Sequence, residues 1–215
     1  MKIALIGATG FVGQAILNEA LARGHHVTAI VRDPSKLPQH ANLTANKLDV
    51  FDTAALTAVL AGHDSVINAY NGGWNNPNIY QDGVKAHTSI INASVQASTR
   101  YFLQVGGAGS MEIAPGLDLI DTPEFPEQWK QGALATREAY RLLKQKVGMA
   151  WTFLAPAPDL HPGERTGRYE VIVDRSPLQV TQSPNLTSPD YAVAVLDEIE
   201  SPKHDKQRFS AFYAG

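Results

Sequence analysis

The chain of 215 residues contains no cysteine. That excludes disulfides, thiolate nucleophiles and thiolate metal sites together, and it suits a reducing compartment such as the cytoplasm. Charge is sparse too: Asp, Glu, Lys and Arg make up 18% of the chain, the net charge is -3, and no basic run occurs. Such a surface offers a nucleic-acid backbone little to bind. Long hydrophobic runs are also missing. The N-terminal "MKIALIGATGFVG" meets glycine after about five apolar residues, too soon for a signal-peptide core or a membrane span. The histidines form neither His-x-x-x-His nor His-Glu-x-x-His, so a zinc site has no support. "GAGSM" around Ser110 lacks the Gly-x-Ser-x-Gly elbow of serine hydrolases.

What is present is a 44% hydrophobic composition, enough for one well-buried core. Strand-length apolar runs alternate with helical patterns: "KIALIG", "FVGQAILNEALARG", "HVTAIV", "AALTAVLAG", "DSVINAY", a helix up to about Ser98, "YFLQVGG", a long helix, and "WTFLAP". Continuous apolar strands are buried on both faces, so the alternation predicts an α/β fold, a Rossmann-type doubly wound parallel sheet. One domain is expected over 1–215, with a cofactor-binding core (1–155) and a small C-terminal extension (156–215) of a substrate-side loop, a final helix and a final strand. Ser188 is the expected N-cap of that helix, with Pro189 at its first position.

The first strand runs into "GATGFVG", which places Gly7, Gly10 and Gly13 in a Gly-x-x-Gly-x-x-Gly pattern opening a helix. Gly7 permits a sharp exit from the strand, Gly10 lets a pyrophosphate approach the backbone, and Gly13 lets the helix pack on the sheet. The helix start offers free amides and a partial positive charge to the phosphates. Without a ligand the same glycines would make only a tight turn. The second strand ends "TAIVRDP". Arg32 at its carboxyl edge can pair with the extra phosphate of NADP(H), or be a solvated loop cation, while Asp33 keeps NAD(H) open. In "KLDVFD", Asp49 and Val50 would flank the adenine, and Asp49 could equally open the next helix. Ala69, Tyr70 and Asn71, at the end of the fourth strand, should line the crevice beyond the strand ends.

"GATGFVG", "VRDP", "GWNNPNIY", "VGGAGSMEIAPG", "PGERTGRY" and "SPDYAVAVLDEIE" together resemble the atypical short-chain dehydrogenase/reductases. The similarity is to the NAD(P)H-binding branch with NmrA-like proteins, biliverdin reductase B/flavin reductases, bacterial NADH-flavin reductases and NAD-dependent epimerase/dehydratases, and it spans nearly the whole chain. The resemblance implies that Gly7, Thr9, Gly10, Phe11, Val12 and Gly13 hold the pyrophosphate and that Arg32 meets the adenosine ribose or its phosphate. It also implies that Val105, Gly106 and Gly107 flank the nicotinamide, and that Pro156 and Ala157 touch its carboxamide end.

Tyr140-x-x-x-Lys144 has the spacing of the reductase acid-and-lysine pair. If its helix runs from about Gln131 to Val147, Tyr140 lies roughly 14 Å from the cofactor end. By comparison with the family, Glu138 resembles the acid four residues after the catalytic lysine, which puts Leu134 and Lys130 where lysine and tyrosine belong. Neither can do that work, and no catalytic residue is assigned. Ser110 either orients a substrate or is a loop residue making a local backbone hydrogen bond. His161 is either a proton donor over the cofactor or a surface histidine. Trp74, Tyr80, Phe125 and Trp129 form either a slot for a planar substrate or packing beneath two loops, or they serve a subunit contact in a homo-oligomer. The expected function is an NAD(P)H-dependent oxidoreductase acting on a flavin or quinone, with a non-catalytic NADP-binding sensor and a sugar epimerase/dehydratase as alternatives.

Overall fold

In the computed structural model, which describes residues 1–213, the apolar runs form one eight-stranded sheet between two layers of helices. The strands are β1 (Lys2–Ile6), β2 (His26–Val31), β3 (Leu43–Lys47), β4 (Ser65–Asn68), β5 (Tyr101–Val105), β6 (Glu112–Ala114), β7 (Leu117–Asp118), β8 (Ala150–Pro156), β9 (Asp159–His161), β10 (Glu170–Val173), β11 (Asn185–Thr187) and β12 (Gln207–Phe212). The helices are α1 (Phe11–Ala22), α2 (Thr53–Leu60), α3 (Ile79–Gln96), α4 (Glu127–Lys144) and α5 (Ser188–Glu200). Across the sheet the order is β3-β2-β1-β4-β5-β8-β12-β10. Every pairing is parallel except that of β10 with β12 at the edge. The order reverses between β1 and β4, and in such sheets ligands bind beyond the carboxyl ends of the strands at that point.

The two-residue period of a strand explains the unbroken apolar runs. Ile3 and Leu5 point into the core shared with Ile16 and Leu17 of α1 and Tyr191 and Val195 of α5. Ala4 and Ile6 point the other way, toward Leu56 of α2, Ile90 of α3 and Leu143 of α4. Each buried side chain of this size contributes about 1.5–3 kcal/mol. α3 and α4 approach closely because Gly83 lacks a side chain: a Cβ there would lie 2.7 Å from Cβ of Ala135.

Three boundaries differ from the sequence expectations. α4 begins at Glu127 and ends at Lys144, so Trp129 belongs to its first turn. That turn is polar and outward-facing, which hides it from a search for apolar periodicity, while Glu127 at its start and Arg141 and Lys144 at its end complement the helix dipole. The N-cap of α5 is Thr187, whose side chain accepts from the Asp190 amide; Ser188 and Pro189 are already helical. The region after Pro156 also holds more strand than its turn-forming composition suggests. It adds β12 and β10 to the main sheet and pairs β9 with β11 in a separate parallel ladder. Phe209 of β12 and Ile3 of β1 share one core.

Candidate cofactor and substrate site

After β1 the chain turns at Gly7 with φ +82°, a conformation open mainly to glycine. The Gly7 amide donates to the Ile30 carbonyl of β2 at 3.3 Å, and the Gly7 carbonyl accepts from the Gly10 amide at 3.0 Å. A Cβ at Gly7 would stand 2.5 Å from the Ala69 carbonyl oxygen, and one at Gly13 would stand 2.0 Å from the Gly7 oxygen. The protein's own packing therefore demands both glycines.

Gly10 differs. Its φ of -79° and ψ of 168° suit any residue, and a Cβ there would meet only the Gly7 oxygen at 3.4 Å. The space a methyl group would take lies beside the start of α1. The Gln14 amide bonds the Gly10 carbonyl at 2.8 Å, so the amides of Phe11, Val12 and Gly13 precede the first α-helical bond and face outward. The first turn carries no acid. Bare backbone, unpaired amides and the positive end of a helix dipole suit a dinucleotide's paired phosphates. Thr9 is half-buried in the turn and Phe11 is exposed beside it.

At the neighbouring strand ends, Arg32 follows β2 directly and is exposed. The Asp33 carboxylate is engaged elsewhere: it accepts from the Ser35 hydroxyl at 2.7 Å and the Ser35 amide at 3.1 Å. These two bonds hold its carboxyl below the usual range. Asp49 is exposed and accepts from the Phe51 amide at 3.0 Å, while Asp52, not Asp49, caps α2. Val50 is buried, and its carbonyl accepts from the Ser89 hydroxyl.

On the other side of the switch point, Ala69 and Tyr70 are half-buried and Asn71 is exposed at the end of β4. Val105, Gly106 and Gly107 follow along β5, and Pro156 ends β8. Gly106 has no room for a side chain, because a Cβ would strike the Phe153 ring at 2.3 Å. Ala157 is only 1% exposed; it lies in the core behind Pro156 rather than on the crevice wall.

A buried polar network lies beneath this stretch. The Asn68 side-chain amide donates to Gln104 Oε1 at 2.8 Å and sits 3.1 Å from His87 Nδ1, while Asn68 Oδ1 accepts from the Tyr70 amide at 3.1 Å. Gln104 Nε2 in turn donates to the Val105 carbonyl at 2.8 Å. These bonds fix the backbone at two candidate contact residues, Tyr70 and Val105. Burial pushes His87 down to about 4, so it is neutral at physiological pH. Burial also raises the Tyr70 hydroxyl, against the opposing charge of Arg32. Asn68 and Gln104 were legible as polar residues closing apolar strands, "SVIN" and "YFLQV", but the motif reading passes over them.

The Tyr140-Lys144 pair packs on side chains of β8. The Tyr140 ring packs 5.2 Å from Phe153 and 6.2 Å from Trp151, beside the middle and the amino end of β8. Its hydroxyl is shifted upward by burial, opposite to what a proton-shuttling tyrosine needs. Lys144 lies over the same ring at 4.7 Å from its centroid. Ser110 is buried and its hydroxyl donates to the Gly107 carbonyl at 2.7 Å, a local backbone bond. His161 lies on β9 with Nδ1 3.6 Å from an Asp159 oxygen. Among the described residues no three His, Cys, Asp or Glu side chains group as a metal site.

The loop 162–169 is latched over α1 and α5 by carboxylates that the sequence reading did not single out. Asp190, at the start of α5, accepts from the Thr166 amide and the Gly167 amide at 2.8 Å each, from the Tyr213 hydroxyl at 2.5 Å, and from the Thr166 hydroxyl. Burial raises its carboxyl, but these bonds outweigh it and the net shift is downward. Glu19 of α1 takes a two-pronged contact from Arg165 at 2.7 and 2.8 Å. On the far side, Arg208 reaches Glu112, Asp118, Asp174 and the Ser110 carbonyl, anchoring the β6-β7 hairpin to β12.

A glycine turn opening a helix at the switch point of a parallel sheet defines a dinucleotide-binding α/β protein. Residues 7–202 match the family model described as NAD(P)H-binding. The chain belongs to that NAD(P)H-binding family, which is consistent with its resemblance to the atypical short-chain dehydrogenase/reductases. YwnB of Bacillus subtilis (strain 168), itself uncharacterized, is 38% identical over 213 residues, covering 98% of this chain and 97% of YwnB. A crystal structure provisionally described as an epimerase, from Bacteroides thetaiotaomicron, is 42% identical with a TM-score of 0.91, covering 100% of this chain and 97% of the other. One provisionally described as an NADH-flavin reductase, from Streptococcus pneumoniae, is 35% identical with a TM-score of 0.86 over 99% of each chain.

Proposed function

We propose that the protein is an NADPH-preferring reductase whose hydride acceptor is a planar, electron-poor ring such as a flavin or a quinone. The observation that carries this is the packing of the Tyr140 ring against Trp151 and Phe153, with Lys144 lying over that same ring and burial raising the Tyr140 hydroxyl. A ketone or sugar needs a positioned acid at the moment of hydride transfer, whereas such rings can take a further proton from water. The same placement weighs against an epimerase that would use this pair.

In this reading the amides of Phe11, Val12 and Gly13, with Thr9, hold the pyrophosphate, and Arg32 meets the 2′-phosphate. Asp33 is committed to Ser35, which favours the phosphorylated cofactor over NADH. Asp49 and Val50 flank the adenine. Ala69, Tyr70, Asn71, Val105, Gly106, Gly107 and Pro156 form the nicotinamide wall, with Ala157 packing behind it. When bound, the reduced nicotinamide supplies the hydride. The protein orients the two rings and excludes water, and the Asn68-Gln104-His87 network keeps the wall rigid. Cytoplasmic action is part of this proposal. No helix among the described residues is long and apolar enough to cross a membrane.

The test is a titration with NADPH and NADH followed by a turnover screen of flavins, quinones, aldehydes and nucleotide sugars. Tighter NADPH binding and turnover of flavins or quinones are expected. Failure to bind either cofactor at millimolar concentration, or turnover confined to sugars or aldehydes, would refute it.

A further inference from the structure

Two large aromatic side chains at the crevice end of α4 are left open to water. Trp74, in the loop between β4 and α3, is 52% exposed and Trp129, in the first turn of α4, is 40% exposed. They touch edge to face, with centroids 4.6 Å apart and planes at 78°. The remaining tryptophan, Trp151, is buried.

The position of Trp74 is built into the fold. The Gly73 amide donates to Asn71 Oδ1 at 2.7 Å, the Asn78 amide to Asn76 Oδ1 at 2.9 Å, and Asn76 Nδ2 to Asp82 at 2.8 Å. The indole lies against bare backbone of α4, since a Cβ at Gly132 would fall 2.6 Å from Trp74 Cζ3. Trp129, Gly132 and Thr136 are spaced i, i+3, i+7 and so share a helix face. One turn beyond Gly132, about 6 Å along the axis, Thr136 Cγ2 is 3.7 Å from where a Cβ of Gly107 would be. The indoles thus stand next to the proposed nicotinamide wall. The same two segments expose Asn71, Asn75, Asn78 and Gln128 and the Glu127-Lys130 ion pair. An apolar spot two indoles wide suits one fused ring system. A protein partner would need about 800 Å² on each side.

We infer that Trp74 and Trp129 form the stacking wall of the acceptor subsite, and that its occupant is a fused aromatic heterocycle of the isoalloxazine class. The inference rests on the reductase reading above. Its test is riboflavin fluorescence, followed as protein saturated with oxidised NADP is titrated in; stacking on indole quenches the flavin. Because the indole planes stand at 78°, the flavin can stack on one and meets the edge of the other, so at least one of Trp74→Leu and Trp129→Leu should weaken riboflavin binding about tenfold or more, in line with the usual worth of ring stacking on an aromatic side chain. NADP binding should stay within about twofold of wild type on the same scale of effect. Gly132→Ala, which displaces Trp74 without removing it, should weaken riboflavin in the same direction. Unchanged riboflavin affinity in both leucine variants, or no quenching by the wild-type protein, overturns the inference. So does a change of sedimentation from dimer to monomer with riboflavin affinity intact, which would assign the indoles to a subunit contact. Failure of the wild-type protein to bind NADP strikes the reductase reading instead, and is scored in the same titration.

Discussion

Gly10→Ala separates ligand binding from folding at the proposed phosphate site. The methyl group would meet only the Gly7 oxygen at 3.4 Å, in a backbone conformation that alanine adopts freely. Reduced unfolded-state freedom should stabilise the fold by about 0.4–1 kcal/mol, while alanine's poorer N-capping costs about as much. The net change in stability is therefore expected within about 1 kcal/mol, or a melting shift of no more than about 4 °C for a chain of this size. Binding should respond differently, because the methyl group occupies the approach to the Phe11, Val12 and Gly13 amides. An overpacking penalty of about 1–3 kcal/mol weakens the cofactor by about 5- to 150-fold. A thermal melt reads both quantities. With NADPH at about a hundred times the wild-type Kd, the wild-type protein gains about 2.7 kcal/mol, and the variant should lose at least about a third of that gain. Gly13→Ala is the contrast: its methyl group would lie 2.0 Å from the Gly7 oxygen, so the apo protein itself should be destabilised. A Gly10→Ala protein that keeps both the apo melting temperature and the full NADPH shift would show that no phosphate lies over this glycine.

Removing the charge-assisted contact in Arg32→Ala should weaken NADPH by about 1.5–3 kcal/mol while leaving NADH within a few-fold, as equilibrium titrations with both cofactors would show. Asp190→Asn should destabilise the fold, with the gap to wild type largest near neutral pH. Because the Asp190 carboxyl is held below its ordinary value, its stabilisation is complete above the unfolded value near about 4 and disappears as pH falls through the lowered native value; urea midpoints across that range should converge. His87 acts in the reverse sense for a base. With its native value pushed down to about 4, the unfolded chain takes up the proton first, so stability falls as pH drops from about 6.5 toward 4. His87→Gln should remove up to about 3 kcal/mol of that acid loss, measured by the same urea series. Tyr140→Phe should leave turnover within about twofold; a hundredfold loss, nearly 3 kcal/mol in the barrier, would restore the tyrosine-lysine pair as a catalytic dyad.

Local chemistry made much of the site legible in advance. Gly7 announces a left-handed turn, the helix after Gly13 announces free amides, and the strand ends at Val31, Asn68 and Val105 put Arg32, Tyr70 and Gly106 on one edge. The motif gives Gly7 and Gly13 to the fold and Gly10 to the approach of a ligand; packing adds the distances, a Cβ colliding at the first two and meeting only the Gly7 oxygen at 3.4 Å at the third. The latch residues Glu19 and Asp190 were hidden: each is an acid on an amphipathic helix, and its partners, Arg165 at one and Thr166 at the other, lie far away in the chain.

By itself, the order of residues determined the α/β class and the first strand-turn-helix, because these depend on periodicity and backbone sterics within a few neighbours. Tertiary structure alone decided that Asn68, His87 and Gln104 meet and that Trp74 lies on Gly132. Those facts depend on which distant surfaces exclude water together, and burial of that kind has no signature at fixed spacing along the chain.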